Sequence, residues 1–213
     1  DVPPFKYATM FQGRTLLLNE QSSAKNRLLF SAYGSPDVYK GSSDSGEIFI
    51  GDDSALTAAA TLSLVLTSAL EQLVVTKLNE TYRIFGDGPA NWQLQKISAT
   101  VGCPAPKTMQ TANIPLDTAG SLGKNIAIWQ GSEGIYVTDG KTPTPIHEDI
   151  KNLFDKRLST SINRNKIADS VGFMDQQNLE YHWLWASGTS TTLNKEYVFD
   201  LRRWKWYEIV RGA

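Results

Sequence analysis

Tyr181, Trp183, Trp185, Trp204, Trp206 and Tyr207 form the densest aromatic run in the chain. At a period of two, Trp183 and Trp185 share one strand face, as do Trp204 and Trp206. Such pairs have the chemistry to stack a sugar ring or a nucleobase. They also suit the packing between blades of a β-propeller, which is the reading favoured. Arg202, Arg203, Lys205 and Arg211 lie among them. These cations read as a solvated rim, with contact to DNA in a channel or to an acidic neighbouring subunit as the functional alternatives. A second basic stretch, Lys156, Arg157, Arg164 and Lys166, reads as a solvated face whose charge also suits a helix C-terminus.

Ser42, Asp44, Gly46 and Phe49 match the spacing of an Asp-box. In sialidases and similar propellers this box is a hairpin turn. Its aspartate holds local backbone N–H groups, its glycine supplies a positive φ, and its aromatic packs beneath. It is a fold element and carries no glycosidase chemistry. A sialidase-type site needs an arginine cluster, a tyrosine nucleophile with a glutamate, and an acid aspartate, and nothing in the sequence converges these. The acidic residues Asp44, Glu47, Asp52 and Asp53 could hold Ca²⁺, but their spacing is not that of an EF-hand loop. His147 and His182 have no metal-ligand spacing, and no cofactor is expected. Cys103, in Gly102-Cys103-Pro104, reads as a buried structural cysteine. Gly86-Asp87-Gly88 reads as a turn, lacking the lysine and spacing of a phosphate loop.

The elements that must position these residues are read from a chain of 213 residues, enough for a substantial core. Hydrophobic residues at 41% and charged residues at 20% are ordinary for a globular protein. A net charge of −1 exerts no broad pull toward nucleic acid or an anionic membrane. One cysteine allows no internal disulfide, so the core alone must hold the fold. The longest apolar stretch, residues 55–70, is interrupted by threonines and serines and is short for a membrane span, so it is expected to be buried. Asp1-Val2-Pro3-Pro4 has neither an initiator methionine nor the basic and apolar lead of a secretory signal. A processed product or part of a longer polypeptide is therefore the expectation.

Most of the chain reads as short strands rich in β-branched and aromatic residues: 14–19, 27–32, 47–50, 72–77, 81–85, 93–98, 125–129, 134–138, 180–186, 196–201 and 205–209. Turn formers separate them. One helix is expected at 148–158, with Ile150, Leu153, Phe154 and Leu158 on one stripe and Glu148 and Asp149 in its first turn. A strand pair recurs four times. Its first strands centre on Leu17, Val74, Ala127 and Trp183, at intervals of 57, 53 and 56 residues. In three of the four an aromatic-bearing outer strand follows, marked by Phe49, by Trp92, and by Trp204 with Trp206. Such a period with about four strands per unit marks propeller blades, each stable only when stacked on another. The expected fold is all-β and propeller-like, a single domain over 1–213 with four antiparallel blades at 5–50, 55–98, 107–147 and 166–210. It is either a complete four-bladed ring or part of a larger one, with an irregular two-sheet sandwich as the alternative.

The order of four strand–turn–strand phrases carries a family likeness. The first runs from Phe11-Gln12-Gly13-Arg14-Thr15-Leu16-Leu17-Leu18 to Asn26-Arg27-Leu28-Leu29-Phe30-Ser31. The second joins Leu73-Val74-Val75-Thr76-Lys77, Thr81-Tyr82-Arg83-Ile84-Phe85-Gly86-Asp87-Gly88 and Trp92-Gln93-Leu94-Gln95-Lys96-Ile97-Ser98. The third pairs Ile126-Ala127-Ile128-Trp129 with Gly134-Ile135-Tyr136-Val137-Thr138-Asp139-Gly140. The fourth joins Tyr181-His182-Trp183-Leu184-Trp185, Tyr197-Val198-Phe199-Asp200-Leu201 and Trp204-Lys205-Trp206. This succession resembles the propeller-bearing tail-tube, nozzle and stabilisation proteins of tailed bacteriophages, especially short-tailed ones. The resemblance implies a non-catalytic virion component located in the phage tail. It further implies a homo-oligomeric ring, commonly sixfold, around the DNA exit channel, with other tail and neck proteins as partners, transient contact with exiting DNA and no membrane partner. The alternatives are a lectin-like propeller that binds glycans through exposed tryptophans and the acidic loop, and, behind it, a glycoside hydrolase.

Overall fold

A computed structural model describes residues 2–63, 71–114 and 124–210. Among them sixteen strands form four antiparallel four-stranded sheets, each a meander in chain order. The first sheet holds β1 (Phe5–Phe11), β2 (Arg14–Glu20), β3 (Arg27–Phe30) and β4 (Gly46–Phe49). The second holds β5 (Ala58–Leu62), β6 (Gln72–Thr76), β7 (Thr81–Phe85) and β8 (Gln93–Ser98). The third holds β9 (Gln110–Ile114), β10 (Lys124–Gln130), β11 (Ile135–Thr138) and β12 (Thr144–Pro145). The fourth holds β13 (Val171–Asp175), β14 (Glu180–Trp185), β15 (Lys195–Asp200) and β16 (Lys205–Ile209). The fold is therefore all-β, built of propeller-like blades. The chain divides into two compact units, Asp1–Gly102 and Cys103–Ala213, of two sheets each.

In the first unit, period-two alternation sends Leu16 and Leu18 of β2, with Phe11, Leu28 and Phe30, into one cluster with Leu73, Val75, Tyr82 and Ile84 of the second sheet. Trp92, just before β8, meets Phe30 edge-on with ring centroids 5.0 Å apart and Phe11 at 5.2 Å. Its indole N–H donates to Gln12 Oε1 at 2.8 Å, and Gln12 Nε2 donates to the Gly86 carbonyl at 2.6 Å. Gln12 can reach both because Gln12-Gly13 turns β1 into β2 with φ of 48° and 70°. That is the mirror-image two-residue turn that hairpins favour. Asn19 adds a buried bond to the Leu56 carbonyl at 2.7 Å.

The second unit is sealed by aromatics. Tyr181, Trp183 and Trp185 alternate on one face of β14 and are almost wholly buried. They pack with Ile126 and Ile128 of β10, Ile135 and Val137 of β11, and Phe154. Trp183 stacks on Trp185 at 5.1 Å and on Phe154 at 5.6 Å. Tyr181, Trp183 and Trp206 find acceptors on the facing side, as buried tyrosine and tryptophan favour, whereas the buried Trp185 indole N–H has none among the described residues. The Tyr181 hydroxyl donates to the Thr108 carbonyl at 2.8 Å and the Trp183 indole to Gln130 Oε1 at 2.8 Å. The Trp206 indole donates to the Ile146 carbonyl at 2.5 Å. At the sheet edge, Gln176 mimics a strand, accepting from Asn113 N at 2.9 Å and donating to its carbonyl at 2.6 Å. Both units thus join two sheets through an indole bound to a glutamine amide.

Two features differ from expectation. The helix expected at 148–158 is a 3-10 segment, Glu148–Phe154, interrupted at Ile150 where φ is −122°. Ile150, Leu153 and Phe154 are buried as the stripe requires, but Leu158 is exposed. The helix stops because Asp155 is extended and its carboxylate takes the Arg157 backbone N–H at 3.0 Å and side chain at 2.9 Å. The other difference is that the first strand of every sheet escaped the strand pattern. β5 (AAATL) is alanine-rich, β9 (QTANI) is polar and β13 (VGFMD) contains glycine, all weak strand formers. Of the apolar stretch 55–70, Leu56, Ala58, Ala60 and Leu62 are buried, whereas residues 64–70 lie outside the described residues.

Tyr181→Phe removes only the hydroxyl that reaches Thr108. It is expected to lower unfolding free energy by about 1–2 kcal/mol, leaving a buried carbonyl unpaired. Urea denaturation checks this against Tyr33→Phe, whose ring is 69% exposed and whose effect is expected to stay within about 0.5 kcal/mol.

Candidate functional site

The aromatic run separates into two classes. Trp183 and Trp185 are 0% and 1% exposed and are spent on packing, and Trp206 is half-buried on Phe199 and Tyr181. Trp204 is 47% exposed. It does not share a strand face with Trp206, because it ends the β15–β16 turn in left-handed backbone with φ 58°. That turn is capped by Asp200, whose carboxylate accepts from the N–H of Arg202 at 2.8 Å and of Arg203 at 3.0 Å. The β13–β14 turn is built the same way. Asp175 accepts from Gln177 and Asn178, both at 3.0 Å, and Leu179 takes φ 56°. Each bulky residue at such a position costs about 1–2 kcal/mol in backbone strain. Leu179 recovers it by burial, being 6% exposed, whereas Trp204 is half-exposed, its ring edge-on to Phe199 at 5.1 Å and its backbone N–H on the Asp200 carbonyl at 2.7 Å.

Arg202 and Arg203 precede Trp204 and face solvent. Arg202 reaches the Gln177 carbonyl at 3.2 Å, and Arg203 sits 3.7 Å from Asp200. Lys205 pairs with Asp149 at 3.1 Å, and Arg211 lies outside the described residues. The second basic stretch is tied down locally. Lys156 and Arg164 both hold Glu133 at 3.1 Å, Arg157 holds Asp155 at 2.7 Å, and Lys166 holds Asp169 at 3.2 Å.

The Asp-box reading of Ser42, Asp44, Gly46 and Phe49 is corrected by the geometry. Asp44 is drawn to buried Arg14 at 2.6 Å and accepts from the distant Tyr33 N–H at 3.0 Å. The guanidinium, which also donates to the Ser31 carbonyl at 3.0 Å, needs every acceptor that it can reach. Ser42 Oγ accepts from Asp44 N at 3.2 Å. Gly46 lies in β4 outside the left-handed region; its role is space, since an added Cβ would come within 2.8 Å of the Phe30 ring. Phe49, in β4 opposite Arg27, is 51% exposed and is not buried beneath the turn.

The acidic loop does not converge on a cation site. Asp52 is bound by Lys77, a lysine 1% exposed whose Nζ reaches the Asp52 carboxylate and carbonyl, both at 2.5 Å. That ammonium holds the Asp52 carboxyl well below its ordinary range. Glu47 pairs with Arg27, which also holds buried Glu20 at 2.7 Å. Among the described residues no group of three or more His, Cys, Asp and Glu side chains is placed to hold a metal ion. Cys103 is buried and donates to the Ala105 carbonyl at 3.2 Å.

Two arrangements carried no motif. His182, on the β14 face opposite Trp183, lies between carboxylates: Nδ1 is 2.9 Å from Glu196 and Nε2 is 3.8 Å from Glu180. Glu180 also accepts from the Tyr207 hydroxyl at 2.5 Å; burial and that carboxylate push the phenol up to about 12. The second arrangement is a cleft of about 550 Å³ beside Trp204, floored by Ile126 and Val137 and rimmed by Asp139, Lys141, Thr142 and Thr144. Its signal in the sequence is the repeated phrase of an aspartate, three residues and a bulky side chain, Asp175…Leu179 and Asp200…Trp204.

No family model matches the chain, and no curated protein matches it either. Among the described residues no helix is long and apolar enough to cross a membrane.

Hydrogen bonds from Ser22, Arg27 and Ser23 hold buried Glu20 down to about 2 from an ordinary 4.5. A carboxyl depressed on folding stabilises fully above its unfolded value, and this contribution is lost as pH falls through the folded value. Stability is therefore expected to drop between about pH 4.5 and pH 2. Denaturant midpoints across that window check it. Glu20→Gln is expected to lower stability at pH 7 and to flatten this part of the profile.

Proposed function

We propose that this chain is a non-catalytic building block of a bacteriophage tail, forming part of a neck, nozzle or tube assembly around the DNA exit channel. The observation that carries the reading is the fate of the four phrases on which the family likeness rests. Each folds as adjacent strands of a single sheet: β2–β3, β6–β8, β10–β11 and β14–β16. The side chains that sequence alone offered for chemistry are largely spent on architecture. Trp183 and Trp185 pack the second unit, and Asp44, Glu47 and Asp52 are held by Arg14, Arg27 and Lys77.

In this role the chain presents sheet edges and loops to neighbouring subunits in a homo-oligomeric ring and to other tail proteins. Stable contacts of that kind bury roughly 1,200–2,000 Å². The exposed Arg202 and Arg203 suit passing contact with DNA phosphates, a salt-sensitive interaction that needs no sequence reading.

An antibody raised against the purified chain, applied to the lysate of cells that produce it and viewed by electron microscopy with gold label, tests the proposal. Label is expected on the tails of phage particles. A chain recovered only in the particle-free fraction, with no labelled tails, overturns the reading.

A further inference from the structure

We infer that the second unit carries a glycan-binding cleft with Trp204 as its stacking platform, a site that does not depend on the tail reading. Four observations converge on it. The cleft of about 550 Å³ lies within the range typical of small-ligand sites, roughly 300–1,000 Å³. One wall is Trp204, an indole 47% exposed and kept in left-handed backbone at φ 58°. Left-handed backbone at a bulky, half-exposed residue is a mark of functional positions. The floor is apolar, formed where Ile126 and Val137 reach the edge of the core. The rim is polar. Among the described residues the Lys141 ammonium, the Thr142 and Thr144 hydroxyls and the Trp204 indole N–H have no hydrogen-bonding partner.

The contrast with the other tryptophans sharpens the inference. The Trp92, Trp183 and Trp206 indoles donate to acceptors on the facing sheet or just beyond it. Trp204 alone of these four keeps its ring face and its N–H available.

The chemistry of the lining selects the ligand class. A pyranose has one face of C–H groups that covers an indole and a girdle of hydroxyls that both donate and accept. Thr142 and Thr144 supply hydroxyls of both characters, and Lys141 and the indole supply donors. Two uncharged hydroxyls beside a single lining ammonium suit a hydroxyl-rich sugar better than the phosphates of a nucleotide. A purely apolar side chain would leave every one of these polar groups unmet. Trp183 and Trp185, which the sequence offered for glycan contact, are buried, and Asp44 and Asp52 of the acidic loop are tied to cations.

The test applies the purified full chain to an array of oligosaccharides built from glucose, galactose, mannose, N-acetylhexosamines and sialic acid, and then titrates the strongest binder in solution. Binding to a subset of neutral pyranosides is expected. Trp204→Gly should weaken it about tenfold or more, and Thr142→Val about threefold. Glycine adopts φ 58° without strain, so the first variant should remain folded, as an unchanged near-ultraviolet circular dichroism signal from the buried tryptophans would verify. A chain that binds nothing on the array, or whose binding survives Trp204→Gly, overturns the inference. Gold label on or off phage tails leaves it untouched.

Discussion

A four-stranded antiparallel sheet cannot bury its apolar face by itself, and every other feature of this protein follows from how that face is covered. In each unit two sheets supply cover for one another. The facing side chains include aromatics whose polar tips cost free energy when buried unpaired. Gln12 and Gln130 answer that need for Trp92 and Trp183, and backbone carbonyls answer it for Tyr181 and Trp206. Shape and hydrogen bonding thus fix the same register. A slip of one residue in β14 would turn Tyr181, Trp183 and Trp185 outward and bring Glu180, His182 and Leu184 into the core.

Charge serves the same end at the loops. Lys77 is buried with its ammonium on the Asp52 carboxylate and carbonyl, and Arg14 spans Ser31 and Asp44. Arg27 joins Glu20 on β2 to Glu47 on β4 across the first sheet. Removing one partner of such a pair exposes the cost of the buried charge left behind, which makes these contacts position-specific. Of the acids that suggested a calcium loop, Asp44, Glu47 and Asp52 are consumed in this stitching.

How much of this was legible in the sequence depended on where a strand sits. The second and third strands of each sheet are paired on both sides and carry the strongest β-branched and aromatic alternation, so β2, β6, β10 and β14 stood out. First strands are paired on one side only and tolerate residues such as Ala58–Ala60 or Gln110–Asn113, which the partner strand, more than propensity, holds extended. The four-unit period was readable because it rests on the inner strands. The 148–158 segment showed the right apolar stripe but the wrong helix, because the Asp155 side chain competes for backbone donors. The Asp-box spacing misled because Arg14, thirty residues away, captures Asp44. Trp204 misled in the opposite direction. Period two grouped it with Trp206, but the Asp200-capped turn removes it from the strand and leaves it facing solvent.

The central claim is that the sheets of one unit stand or fall together through their shared aromatic seam. Native-state hydrogen exchange of the intact chain carrying Trp183→Ala tests it most directly. If the seam couples the two sheets, protection falls by the same factor in β10 and β11 as in β14 and β15, although the substitution lies in β14 alone. Loss of protection confined to β13–β16, with β9–β12 exchanging as in the parent chain, would contradict the account.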